Sequence, residues 1–400
     1  MKGHIRQRSP GHWAIVLDLR DFQSGVRKRK WHSFKGTKRE AQSECSRLVT
    51  ELNGGNYVEP SKVTVSDFLR QWLDHQKQQI APRTLERYSE IVEKNIVPAL
   101  GRLPLTKLQP RDIATAYAKA LATGRRDGRG GLSPGTVRYM HAVLRAALRQ
   151  AVKWSTLTRN PVDSVTPPRL ERRSMGVLVA GQTALLLSRC ISSRMFIPVL
   201  LGALCGLRRG EIMALKWRAI DLSTARMSVS ESMEQTSAGT RLKETKSGRG
   251  RNVALPSLVV EELRKHQLRQ AEELLQLGIR AGGDTFVVTR EDGMPILPSS
   301  LTTRFAELLR AIPELPRIRF HDLRHSHATH LLMAGVHPKI AQERLGHSSI
   351  GVTLDLYSHV LPGMQEGAAA MVDAGIRAAL EECRDGRSGS KAVAKAQQAG

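Results

Sequence analysis

Phe320-His321-Asp322-Leu323-Arg324-His325, then Leu345-Gly346-His347-Ser348-Ser349-Ile350, then Thr353-Leu354-Asp355-Leu356-Tyr357-Ser358-His359 are the runs that decide how this chain is read. The first sets a His and an Arg three residues apart, a spacing that puts both on one face of a helix. Two further runs lie upstream: Cys205-Gly206-Leu207-Arg208-Arg209-Gly210-Glu211 and Thr245-Lys246-Ser247-Gly248-Arg249-Gly250-Arg251. Together they offer fixed cations, titratable imidazoles, a lysine and a phenol, in order, over the second half of the chain.

Composition says what such groups would act on. Lys and Arg total 62 against 37 Asp and Glu, a net charge of +25 in 400 residues. So large a surplus repels itself unless a polyanion offsets it, and nucleic acid is the first partner to expect. An anionic membrane surface ranks behind it, because no long apolar-plus-basic helix stands out. No run of 18 apolar residues is present, and the start, MKGHIRQRSPGHW, lacks the apolar core of a signal peptide. Cys45, Cys190, Cys205 and Cys383 show no CxxC spacing, which argues against zinc and against a disulfide framework. A cytoplasmic protein working on DNA is the expectation.

Outward from the motifs, the chain divides into units of mixed, mainly helical structure. Residues 1–58 read as a small basic β-plus-helix domain, with strands at Trp13–Leu17 and Lys30–Phe34 and a turn at Gln23-Ser24-Gly25. Thr37 and Glu40 form a capping box that opens a helix to about Leu52. Arg6, Arg8, Arg20, Arg27, Lys28, Arg29, Lys30, Lys35, Lys38 and Arg39 crowd this domain, and a basic sheet of this size fits a DNA groove. Residues 64–158 carry apolar positions at helical spacing (Val65, Phe68, Leu69, Trp72; Val137, Met140, Leu144, Leu148), with Thr84 and Ser133-Pro134 as helix starts. A basic, Pro-containing linker is expected over 159–174, a mixed α+β domain over 175–385, and a disordered Gly/Ser/Ala/Lys tail over 386–400.

Cutting a DNA strand without a metal needs a nucleophile at phosphorus, cations for the nonbridging oxygens, and an acid for the departing 5′ oxygen. Arg suits the oxygens because its fork is bidentate and always charged. Tyr suits reversible attack, since a phosphotyrosyl ester conserves bond energy for rejoining. The quoted runs resemble the tyrosine recombinase (phage integrase) family, whose catalytic order is Arg, Lys, His-x-x-Arg, His or Trp, and Tyr. The resemblance places these at Arg208, Lys246, His321 with Arg324, His347, and Tyr357 as nucleophile; Lys243 competes with Lys246. More loosely, residues 64–154 resemble the family's helical core-site-binding domain, and residues 1–52 its three-stranded arm-site-binding domain.

Each residue also has a plainer reading. Arg208 and Arg209 read as a surface charge pair, Glu211 as a structural group positioning an Arg, His325 as packing, and His359 as a polar neighbour of the site. Tyr357 alone would more often be a packing residue. His321 and His325 stand four apart, but no Glu lies between them as in HExxH and no Cys is near, so no metal is expected. The resemblance implies core and arm sites on double-stranded DNA, no cofactor, a homotetramer at synapsis, and a directionality or DNA-bending factor. The helical, amphipathic stretch Gly367–Glu382 would dock on a neighbouring subunit or on its own domain. Integration or excision of a mobile element is the implied role. A type IB topoisomerase-like strand relaxase and a non-catalytic DNA-binding protein that kept the fold are the alternatives.

Overall fold

The computed structural model describes residues 2–20, 27–53, 62–125, 127–170, 176–244, 250–346, 349, 351, 369–381 and 383–384. By packing, the chain separates into two compact units, Met1–Arg172 and Arg173–Gly400.

In the first unit, β1 (Lys2–Ser9), β2 (His12–Arg20) and β3 (Arg27–Lys35) form an antiparallel meander, backed by α1 (Lys38–Asn53). β1 is a strand that the run of apolar residues did not reveal. The expected turn at residues 23–25 lies outside the described residues. Thr37 and Glu40 form the anticipated cap, Glu40 Oε2 accepting from the Thr37 amide at 2.8 Å. Ile5, Ile15, Leu17 and Phe34 pack against Cys45, Leu48 and Leu52 of α1. The helix lies so close that a Cβ on Gly3 would fall 2.7 Å from Val49 Cγ2. Register then puts His4, Arg6, Arg29, Trp31 and Lys35 on the opposite face, where Arg8 stacks over the half-exposed Trp31 ring at 5.7 Å.

The helical part runs α2 (Val65–Gln76), α3 (Pro82–Ile91), α4 (Val97–Leu100), α5 (Pro110–Thr123) and α6 (Pro134–Lys153). Val137, Met140, Val143, Leu144, Ala147, Leu148 and Ala151 give α6 its buried stripe in the shared core. Ser133 caps α6 as expected, but α3 starts at Pro82 with Ala81 as its cap, so Thr84 is inside the helix. Between α3 and α4 the backbone widens into a π turn, with the Val97 amide reaching back to Val92 O. Pro98 offers no amide to continue the regular ladder, which accounts for the break. The linker expected from residue 159 begins too early: Pro161–Ser164 forms a 3₁₀ turn, Val162 is fully buried in the helical core, and Asp163 pairs with Arg145 at 2.6 Å.

The second unit opens with α7 (Ala180–Cys190) and α8 (Phe196–Cys205), the latter apolar on every side and buried almost throughout. α9 (Arg209–Ala214) follows, then β4 (Ile220–Asp221), β5 (Arg226–Val229), β6 (Glu231–Thr236), β7 (Gly239–Glu244) and β8 (Arg251–Ala254). The sheet order is β4-β5-β8, and β6-β7 is a separate hairpin. The hairpin presses on α9, where a Cβ at Gly210 would come within 2.5 Å of Ser232 Oγ and 2.8 Å of Met233 O. α10 (Ser257–Gln276), α11 (Pro298–Arg310), α12 (Asp322–Met333) and α13 (Pro338–Leu345) complete the core. Residues 369–381 are helical, and Met371, Val372, Ile376 and Leu380 on them are exposed. The tail expected over 386–400 lies outside the described residues.

Candidate active site

The site is built on two helix ends. α8 stops at Gly206, whose φ of 66° is the left-handed cap that glycine adopts without strain. A side chain there is doubly excluded, since its Cβ would meet Leu345 Cδ2 at 2.6 Å and His327 Cδ2 at 2.7 Å. The chain then turns through buried Leu207 and delivers Arg208 as the residue that caps α9. Glu211, one turn in, accepts from the Arg208 amide at 2.8 Å and from Arg208 Nη1 at 2.7 Å.

α13 supplies the second end. It closes at Gly346 with φ 65°, leaving carbonyls that no helical amide can satisfy. Three consecutive ones are taken by three different arginines. Arg344 O accepts from Arg251 Nε at 2.9 Å, Leu345 O from Arg324 Nη2, and Gly346 O from Arg208 Nη2 at 2.7 Å. Carbonyls at a helix C-terminus carry partial negative charge, so guanidinium groups are favoured there. Arg324 also donates from Nη1 to Gly206 O at 2.7 Å, which joins the two helix ends.

α12 carries Arg324 into this junction. The helix is buried around most of its circumference: Asp322, Leu323, Arg324, Ser326, His327, Ala328 and Thr329 are all inside. Asp322 opens it and is gripped by Arg319 through the backbone amide at 2.7 Å and the guanidinium at 2.9 Å. Burial pushes the Asp322 carboxyl up, and these Arg319 contacts outweigh it, so the pKa is lowered overall.

Charge in the cluster is unbalanced. Three guanidiniums (Arg208, Arg251, Arg324) face one carboxylate, Glu211, which leaves two positive charges in excess. Burial raises the Glu211 pKa, but Arg251 and then Arg208 more than reverse this and bring it down to about 2. Arg324, only 2% exposed, has its pKa pushed down to about 9 by burial and by the neighbouring Arg208 charge, and it stays cationic at neutral pH. His321 stands at the rim, exposed to solvent. The protein packed around its ring, then His325, Arg324 and Arg208, push its pKa down to about 4, and it is therefore neutral at pH 7. His325 stands edge-on to His321 at 5.1 Å between ring centroids, and its buried Nδ1 has no hydrogen-bond partner among the described residues.

The structure thus brings Arg208, Arg324 and His321 together. Lys246, His347 and Tyr357 lie outside the described residues, although Gly346, whose carbonyl Arg208 holds, directly precedes His347 in the chain. Lys243, the competing lysine, is ion-paired to Glu234 across the β6–β7 hairpin. Sequence reasoning anticipated Glu211 as the partner of an Arg but missed Arg251, which reads as an ordinary strand residue in Arg-Asn-Val-Ala-Leu. It also missed His327, buried under Gly206 and bonded to Arg344 Nε at 3.1 Å. His330 is committed elsewhere, to Leu178 O at 2.9 Å.

Comparison with known proteins settles the lineage. Residues 182–363 match the model of the phage integrase family, and residues 64–121 match that of the phage integrase N-terminal SAM-like domain. The chain belongs to the phage integrase family. This tyrosine recombinase is 27% identical over 380 residues to the tyrosine recombinase XerC-like protein of Caldanaerobacter subterraneus subsp. tengcongensis, covering 89% of this chain and 94% of that one. Its fold is similar to that of the Tn1549 transposon integrase solved with circular intermediate DNA (TM-score 0.63, 22% identity, 78% of this chain and 99% of that chain). It is also similar to the lambda integrase tetramer bound to a Holliday junction (TM-score 0.55, 20% identity, 86% and 95%).

Proposed function

We propose that this site-specific DNA recombinase cuts each strand by attack of the Tyr357 hydroxyl on the scissile phosphorus, for integration or excision of a mobile element. A bond forms between the phenolic oxygen and phosphorus, and the bond from phosphorus to the 5′ oxygen breaks. The products are a 3′-phosphotyrosyl link and a free 5′ hydroxyl. In this reading Arg208 and Arg324 clamp the nonbridging oxygens and His347 donates a hydrogen bond to the phosphate. His321, neutral at working pH, accepts the Tyr357 proton. Lys246 protonates the departing oxygen, and the commitment of Lys243 to Glu234 favours Lys246 for that role. A 5′ hydroxyl from the partner duplex then reverses the chemistry and exchanges strands. The ester carries the bond energy across, so no nucleotide or metal need supply it.

One observation carries this reading: two guanidiniums held on successive carbonyls of a helix end, in a cluster with surplus positive charge that a phosphate would balance. The basic open face of β1–β3, with Trp31 and Arg8, supports a second contact with DNA at an arm-type site, and hence a two-site recombinase over a relaxase acting on one duplex. Two duplexes with two half-sites each call for a homotetramer at synapsis. The exposed apolar face of residues 369–381 is available for contact between neighbouring subunits. A bending or directionality factor would bring arm and core sites together, and the enzyme would work in the bacterial cytoplasm or nucleoid.

The test is covalent trapping on a nicked suicide substrate. Wild-type protein yields a protein–DNA adduct that persists in EDTA. Tyr357→Phe binds the same DNA and yields none. An adduct with Tyr357→Phe refutes the nucleophile, and loss of the wild-type adduct in EDTA refutes the metal-free scheme.

A further inference from the structure

The reaction as proposed has no use for Arg251, yet no arginine in the cluster makes more hydrogen bonds. Arg251 heads β8 and is 12% exposed in its side chain. Its Nη1 and Nη2 form a fork on Glu211, at 2.9 Å to Oε1 and 2.7 Å to Oε2, while Nε donates to Arg344 O at 2.9 Å. A Cβ on Gly346 would lie 3.0 Å from Arg251 Cδ and 3.1 Å from its Nη1, so the helix end is closed directly against this side chain.

We propose that Arg251 is a positioning residue for the recombination reaction: it occupies the Glu211 carboxylate and the end of α13 so that Arg208 is held facing the phosphate. The inference rests on the assignment of Arg208 made above. Its logic is competition for one carboxylate. Glu211 has two oxygens and four contacts: Oε1 takes Arg208 Nη1 and Arg251 Nη1, and Oε2 takes the Arg208 amide and Arg251 Nη2. An Arg–carboxylate pair prefers the two-pronged arrangement. With Arg251 holding both prongs, the Arg208 guanidinium keeps a single contact to Glu211, and its Nη2 goes to Gly346 O. Of its five N–H donors the remainder stay available, among the described residues, on a side chain that is 37% exposed. Remove Arg251, and Glu211 turns to take Arg208 in a fork. That draws the guanidinium off Gly346 and away from the phosphate.

Arg251 also offsets a cost. A carboxylate buried to 1% side-chain exposure needs full pairing. Arg208 alone could meet that need only by abandoning its outward donors. The second arginine therefore lets one arginine point at substrate.

The experiment measures single-turnover adduct formation and DNA affinity for Arg251→Gln, Arg251→Lys, Arg208→Ala and the Arg208→Ala/Arg251→Gln double variant. A displacement of the clamp by about 1 Å costs on the order of 100-fold in rate, and that is the fall expected for Arg251→Gln, with affinity within about twofold of wild type. Arg251→Lys keeps one charge on Glu211 but cannot also fork it and reach Arg344 O, so it recovers about tenfold of that loss. The double variant is no slower than Arg208→Ala, because Arg251 acts through Arg208. Additive losses overturn the proposal. So does recovery of the Arg251→Gln rate on a 5′-bridging phosphorothiolate, whose leaving group needs no acid, since the defect would then lie with Lys246 rather than the clamp. If Arg251→Gln does not fold, Arg251→Lys carries the test, and a wild-type rate there overturns the proposal. Should Arg208→Ala itself cut at the wild-type rate, the assignment of the clamp fails instead, and the two failures are told apart.

Discussion

The arginines of the helix-end cluster and those of the N-terminal sheet are chemically the same side chain set in opposite surroundings. At the cluster, Arg324 is 2% exposed and Arg251 12%, and every donor that is seen to bond goes to a carbonyl or to Glu211. On the sheet, Arg6, Arg8 and Arg29 are exposed, and the contacts are loose: a stack over Trp31 and a 3.3 Å pair to Asp18. Buried guanidiniums keep their field because no water screens it. Exposed ones are screened within about 10 Å at ordinary salt and serve affinity. On the proposed reading the first set belongs to the chemical step and the second to holding DNA.

Arg324 is where the two sets of arginines part most sharply. Arg324→Ala is expected to lower adduct formation by about 1000-fold or more while leaving DNA affinity nearly unchanged. A loss of affinity of the same size, measured on the same nicked duplex, would make Arg324 a binding residue like those of the sheet.

Glu211→Gln comes next. Leaving the buried Arg251 and the part-exposed Arg208 with a neutral partner should cost about 3 kcal/mol of stability, read from urea unfolding. The same carboxylate sets an acid limit. Its folded pKa, near 2, lies below its ordinary 4.5, so its contribution is whole above pH 4.5 and fades as pH falls through that interval toward 2. The variant should lose this part of the acid transition.

Gly346→Ala is expected to lose about 1 kcal/mol or more, because φ of 65° disfavours Ala and the new Cβ meets Arg251. Cleavage should fall with it, since Gly346 O holds Arg208. The smallest effect is expected on the N-terminal sheet. Arg6→Ala or Arg8→Ala should reduce the magnitude of the salt dependence of arm-DNA binding by about one unit of log–log slope, with an unchanged cleavage rate on core DNA. A changed cleavage rate would remove the division of labour.

Much of this was legible in the sequence because the family's motifs fall where local physics also needs them. Gly206 and Gly346 end helices, and the arginines that follow or face them fill the exposed carbonyls. The capping box at Thr37 and the stripe on α6 could be read from spacing alone. Arg251 could not, because its meaning comes from Glu211, 40 residues earlier in the chain, and from a helix end 93 residues later. β1 was hidden because its outward face is basic, and alternation of Arg with polar residues leaves little apolar signal. The linker boundary was missed because Pro161 reads as an opening to extended chain, whereas Val162 beside it is core.

The central claim is that Arg208 and Arg324 balance charge on the nonbridging oxygens. A scissile methylphosphonate, which replaces one such oxygen with a methyl group, tests it most directly. Arg208→Ala should be slowed far less on methylphosphonate than on phosphodiester, by a factor of about 100. An equal deficit on both substrates would mean that this guanidinium does not answer the oxygen's charge.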